Sequence, residues 1–165
     1  MTRHDPRPSA RRAAAVAFAA IALALALAAC LHHDLPDRLA GSRQTFVARG
    51  DAAMRQVRRL HGGGLELRDA AFAVYGAGAA SVWMAEARDT ALAARFVTDM
   101  RARIGRGDTP FRVDSTATVA GREVVVLTGM GQRHWCFRTG RRVVWVAAQR
   151  RLATAARDEA LAFYH

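Results

Sequence analysis

Between Phe111 and Ala148 the chain passes through four apolar runs of similar length, each separated from the next by a short glycine-containing break. Phe111 to Val119 alternates, with Phe111, Val113 and Val119 on one side. Glu123 to Thr128 is a β-branched run. Gln132 to Arg138 sets Trp135 and Phe137 on one face and His134 and Cys136 on the other, and Arg142 to Ala148 sets Val143, Trp145 and Ala147 against Val144 and Val146. Period-2 patterning at hairpin spacing predicts strands in an antiparallel meander, turning at Gly121-Arg122, Gly129 to Gly131 and Thr139-Gly140. This is the strongest constraint in the chain, because parallel strands need a long crossover and none of these breaks has room for one.

The rest is read around that meander. Leu65 to Tyr75 predicts a strand bulged near Asp69, Gly76-Ala77-Gly78 a turn, and Ala80 to Glu86 the returning strand. Asp89 or Thr90 caps a helix whose Leu92, Phe96, Met100 and Ile104 fall at i,i+4 steps, ended by Gly105, Gly107 and Pro110. A last helix spans about Arg150 to Phe163 and presents Leu152, Ala156 and Phe163. From Arg43 to His61, Val47, Met54, Val57 and His61 recur at helical spacing. Gly50 weakens the middle, Asp51 is placed to cap a second segment, and Gly62 to Gly64 stops it. The order β-β-α-β-β-β-β-α predicts an α+β fold: a single antiparallel β-sheet of about six strands with the helices packed on one face. An N-terminal apolar signal or anchor helix is expected to precede it.

That apolar segment sets the address. Arg3, Arg7, Arg11 and Arg12 stand against a single Asp5, and Ala13 to Ala29 then carries no charged or polar side chain. A basic region before an apolar one is the pattern of an export signal. It ends in Leu27-Ala28-Ala29-Cys30, which resembles the lipobox of bacterial lipoproteins. The resemblance implies that the leader is cut before Cys30 and that the Cys30 thiol is acylated, so that lipid chains hold the mature protein on a membrane. Two rivals stay open. One is an uncleaved anchor: Ala13 to Leu31 would reach about 28 Å as a helix, just enough for a bilayer core. Its seven strongly apolar residues contribute only about −2 to −4 kcal/mol of insertion free energy. The other rival is cleaved, soluble export. All three place the body outside the cytoplasm, with residues 1–29 as signal or anchor, 30–42 as a tether and 43–165 as the α+β domain. The stretch from Gly129 to Ala148 also looks like the closing strands of small envelope lipoproteins, a resemblance that implies no activity.

Charge and composition exclude more than they assign. The formal net charge is +11, yet all 25 basic residues are Arg, with no Lys and no Asn anywhere, a bias expected of a GC-rich coding sequence. A basic surface still attracts polyanions. No zinc-finger spacing, ribonucleoprotein aromatic motif or helix-turn-helix pattern accompanies it, so no nucleic-acid partner is expected. Two cysteines rule out a disulfide-dense scaffold and any multi-cysteine metal site. With 165 residues, of which 52% are apolar, the chain makes one ordered domain.

No catalytic constellation emerges. Gly76-Ala77-Gly78-Ala79-Ala80-Ser81 after an apolar strand resembles the glycine fingerprint of Rossmann-type dinucleotide-binding proteins, with Asp99 near the ribose-binding position. It departs from the pattern at Ser81, and it would need a helix through Ser81 to Ala94. His61-Gly62-Gly63-Gly64 matches an esterase oxyanion string, but no G-x-S-x-G elbow accompanies it. His32-His33-Asp34 offers metal-ligand types without a third fixed ligand. His134 is a lone candidate base, and Cys136 between Trp135 and Phe137 reads as a small buried apolar residue. The pairs Arg58-Arg59, Arg141-Arg142 and Arg150-Arg151 read as solvated faces, or as a footprint for anionic headgroups or an acidic partner. Trp135, Phe137 and Trp145 read as sheet core. The expectation is a non-enzymatic membrane-tethered domain, with no cofactor, no metal and no identifiable small-molecule ligand. Its partners would be membrane lipid through acylated Cys30 and a protein of the envelope. The alternative is a dinucleotide-binding protein using Gly76 to Ser81.

Overall fold

The computed structural model describes residues 34–165, which form a single curled antiparallel sheet of eight strands with three helices. In chain order these are β1 (Arg38–Leu39), β2 (Ser42–Arg49), α1 (Gly50–Leu60), β3 (Leu67–Tyr75), β4 (Ala80–Ala87), α2 (Thr90–Gly105), β5 (Phe111–Val119), β6 (Arg122–Gly129), β7 (Gln132–Thr139), β8 (Arg142–Gln149) and α3 (Ala153–Phe163). The sheet order β1-β2-β3-β4-β8-β7-β6-β5 joins two meanders along the β4–β8 pairing, where Trp83 stands opposite Trp145.

The predicted meander is present with the facing pattern of β7 and β8 intact, but in β5 a bulge between Val113 and Ser115 moves Val119 to the face opposite Phe111 and Val113; the expected bulge in β3 falls between Leu67 and Asp69. Three tight turns of the sheet, two of them in this meander, show why no stronger signal marked them. Ala40-Gly41, Ala120-Gly121 and Met130-Gly131 each hold both central residues at positive φ, between 48° and 76°. Two-residue hairpins favour that backbone because its twist matches the strands. Asn usually takes the first position. With no Asn in the chain, Ala or Met takes it, at about 1 kcal/mol each.

Three expectations are corrected. The sheet has eight strands, not about six, because β1 and β2 add an edge and the segment predicted helical from Arg43 splits into β2 and α1. A bulge between Gln44 and Phe46 breaks the period-2 pattern there and disguises the strand. Gly50, at φ 54°, marks the change of direction into the helix.

Second, the helices lie on both faces. On one face α3 covers Ala71, Ala73, Tyr75, Val82, Met84, Phe137, Val144 and Val146 in one continuous core. On the other, α1 covers Ala48 and Ala70, while α2 covers Val125, Leu127 and Cys136. Strand β8 requires this arrangement: Val143, Trp145 and Ala147 point one way and Val144, Val146 and Ala148 the other, so both faces need cover. Third, the order β-β-α-β-β-β-β-α lacks β1, β2 and α1. The expected N-terminal apolar helix falls outside the described residues.

Asp89 caps α2 as predicted, accepting from the Leu92 amide at 2.8 Å. The covered stripe keeps Met100 and Ile104 as predicted, but in the first half of the helix Ala93 and Val97 take the places expected of Leu92 and Phe96.

Candidate functional site

The two ends of the strands differ in chemistry, and β8 measures their separation. It begins at Arg142 and is followed by Arg150, about 25 Å away at the rise of a strand.

The start of the described chain is fastened along the sheet, from Asp34 at the Arg142 end to Gln44 beside Tyr75 at the opposite end. Leu35 and Leu39 are buried. The Tyr164 hydroxyl donates to the Asp34 carbonyl at 2.5 Å, and the Pro36 carbonyl accepts from the Tyr75 hydroxyl at 2.7 Å and the Gln44 amide at 2.9 Å. Burial pushes Tyr75 up to about 12 and raises Tyr164 as well, so both stay protonated donors. Arg142 reaches the carboxylates of Asp34 and Glu86, both at 3.4 Å, and Arg141 reaches Glu86 at 2.8 Å. Arg122 donates to the carbonyls of Leu161 and Tyr164, closing the C-terminal end of α3. Residues 34–42, which lack any periodic pattern, are therefore built into the domain rather than hanging from it.

At the Arg150 end lies an open pocket of about 350 Å³, lined by Arg112, Thr128, Gly129, Gly131, Gln132 and Arg150. Strands β5, β6 and β7 with the β6–β7 turn supply one wall, and Arg150, which opens the 3-10 turn Arg150–Leu152, supplies the other. Asp114, at the β5 bulge, takes hydrogen bonds from Arg112 (3.2 Å), Thr128 (3.1 Å) and Arg133 (3.3 Å). Arg150 has no carboxylate partner among the described residues.

The pocket floor is held from beneath. The Trp145 indole N–H, which can only donate, gives its hydrogen bond to His134 Nδ1 at 3.1 Å. This fixes the tautomer, and His134 Nε2–H donates to the Gly129 carbonyl at 2.9 Å. Phe111 packs edge-on against both rings, at 5.0 and 5.2 Å between centroids. Gly129 must be glycine, since a Cβ there would meet the Phe111 ring at 2.5 Å and the Pro110 carbonyl at 2.6 Å. Burial lowers the His134 pKa. With both ring nitrogens occupied, His134 is a structural support and not a free base.

The other sequence candidates fall as follows. Cys30, His32 and His33 lie outside the described residues, and Asp34 is taken up by Arg142. Gly76 to Gly78 is a turn between antiparallel strands, and Ala80–Ala87 is extended, so no helix N-terminus stands there to receive a pyrophosphate; Asp99 is on α2. The Gly78 carbonyl instead accepts from Gln132 at the pocket rim. Cys136 is fully buried and its thiol is pushed up to about 12. Trp135 and Phe137 lie under α3, Trp145 under α2.

The sequence reading missed two features. Arg112 and Asp114 look like ordinary alternation on an edge strand, and only the fold brings them to Arg150. A strip of aromatics, Phe46 beside Phe72 (5.9 Å) and Phe72 stacked on Trp83 (3.7 Å), lies on the face shared by α1 and α2. Its members come from three strands of different local pattern. Comparisons with protein-family models, with curated proteins and with solved structures return no match for this chain.

Proposed function

We propose that this chain is a lipid-tethered envelope protein whose single domain works by binding rather than by catalysis. One observation carries the reading furthest. The compact unit of the described residues starts at Asp34, four residues after the cysteine of the Leu27-Ala28-Ala29-Cys30 motif. Asp34 is already held there by Arg142 and by the Tyr164 hydroxyl, so these contacts would remain after cleavage before Cys30. An acylated Cys30 would sit no more than about 14 Å of extended chain from Asp34. The tether would then be short, and the Arg142 end of the sheet would face the membrane.

Metabolic labelling with a radioactive fatty acid, followed by the mass of the mature amino terminus, tests the proposal. The full chain should incorporate label and lose residues 1–29, and Cys30→Ala should incorporate none. Equal labelling of both, or an unmodified full-length mass, removes it.

A further inference from the structure

We propose that the strand-end pocket beside Arg112 and Arg150 is a binding site for a small oxyanion, a phosphate or carboxylate group on a soluble ligand. This deepens the binding role proposed above by naming a ligand class. The oxyanion site rests on the pocket alone, so a failure of lipid labelling leaves it standing; only the choice of a soluble source over a headgroup rests on the tether.

Three observations converge on it. The first is donor chemistry. Two guanidinium groups and the Gln132 amide line one cavity of about 350 Å³; the Asp114 carboxylate beside it takes the Thr128 hydroxyl proton and one bond from Arg112, which leaves the other Arg112 donors and those of Arg150 for a ligand. Guanidinium presents a planar fork of N–H donors matched to the two oxygens of a carboxylate or phosphate. The second is charge. Arg112 and Arg133 share the single carboxylate of Asp114, and Arg150 has none among the described residues. The rim thus holds like charges that an incoming oxyanion would relieve.

The third is construction. The floor is held by the Trp145–His134–Gly129 hydrogen-bond chain, and Gln132 is tied to Gly78 across the rim. A rigid floor with pre-placed donors lowers the ordering cost of binding.

The placement separates two sources of the same anion. The pocket lies about 25 Å of strand from the Asp34 end, so a domain tethered there presents the pocket away from its own membrane. A soluble phosphate or carboxylate reaches it, whereas a headgroup of the anchoring bilayer does not.

The test is isothermal titration of the full chain in neutral detergent with inorganic phosphate and, separately, citrate, at ionic strength held constant with chloride. Saturable binding should weaken about tenfold in Arg150→Gln and in Arg112→Gln, the effect of losing one charge-assisted contact. Arg150→Lys should recover part of the loss. Asp114→Asn frees Arg112 and Arg133 and should tighten binding by about two- to fivefold, a direction that mere damage to the fold would not produce. Arg59→Gln, at an exposed position near the end of helix α1, should leave binding unchanged. No saturable binding of either anion, equal weakening by Arg59→Gln, or binding only to vesicles containing anionic phospholipid each overturns the proposal.

Discussion

The two faces of the sheet are built from the same strands but closed in different ways. Under α3 the core is continuous: small residues such as Ala71, Ala73, Ala80 and Ala148 leave room for Tyr75, Trp135, Phe137 and Tyr164. Under α1 and α2 it is divided into two patches, with Phe46, Phe72 and Trp83 partly open to solvent. The first face therefore holds most of the packing energy. The second trades packing for a polar device, the His134 chain, and for surface that water still reaches. An apolar group contributes to stability in proportion to the area it removes from water, so equal truncations on the two faces should have unequal costs.

The largest effect should come from Phe137→Ala. Phe137 is fully buried, packs near Tyr164 at 6.2 Å between ring centroids and carries Arg122 over its ring. Losing the ring should cost about 3–5 kcal/mol of unfolding free energy. The matching truncation on the second face, Phe72→Ala, should cost only about 1–2 kcal/mol, because that ring is half-buried. Urea unfolding of both variants gives the comparison directly, and equal losses would mean that the open strip is as well packed as the closed core.

Next in size is His134→Leu. It leaves the Trp145 N–H without a partner inside the sheet and removes the side-chain bond to the Gly129 carbonyl, at a total of about 1–3 kcal/mol. Adding Trp145→Phe should recover part of that loss, since one orphaned donor disappears with it. The same residue predicts a pH dependence. The pKa of His134 is lowered in the folded state, so the unfolded chain binds the proton more readily. The stability that neutral His134 contributes is complete above its ordinary value of 6.5 and is lost as pH falls through the lower folded value. Wild type should therefore lose stability on acidification below 6.5 more steeply than His134→Gln, as read from unfolding midpoints across that range.

Smaller again is the fastening of the chain start to the α3 face. Tyr164→Phe removes the hydroxyl that holds the Asp34 carbonyl and should cost about 1 kcal/mol. Its clearer signature is local: hydrogen exchange should rise at residues 34–39 and stay unchanged in β7 and β8. Uniform acceleration throughout the sheet would show instead that the first face opens only as one unit.

Much of this fold was legible in the sequence where strands were regular. The meander from Phe111 to Gln149 and the hairpin from Leu67 to Ala87 follow from alternation and glycine turns, because a period of 2 needs no tertiary information. β2 was not legible, because the bulge at Thr45 shifts Phe46 and Val47 out of phase and mimics helical spacing. The helix faces were hidden for a different reason. Alternating apolar residues show that a strand has two apolar sides, but not which helix covers which. The pocket was least visible of all. Arg112, Gln132 and Arg150 lie up to 38 positions apart and meet only because β5 to β8 end at the same level.

The smallest expected effect belongs to neither face. Met130 sits at the tip of the β6–β7 turn, 74% exposed and at φ 50°. Asn tolerates that backbone better than a methionine does, so Met130→Asn should stabilise the protein by about 0.5–1 kcal/mol through relief of backbone strain alone. The gain should be the same in the Phe137→Ala and Phe72→Ala backgrounds, since a turn tip touches neither core. A loss of stability, or a gain that differs between the two backgrounds, would show that the Met130 side chain packs onto one of the faces. The division between a closed and an open side would then have to be redrawn at the pocket rim.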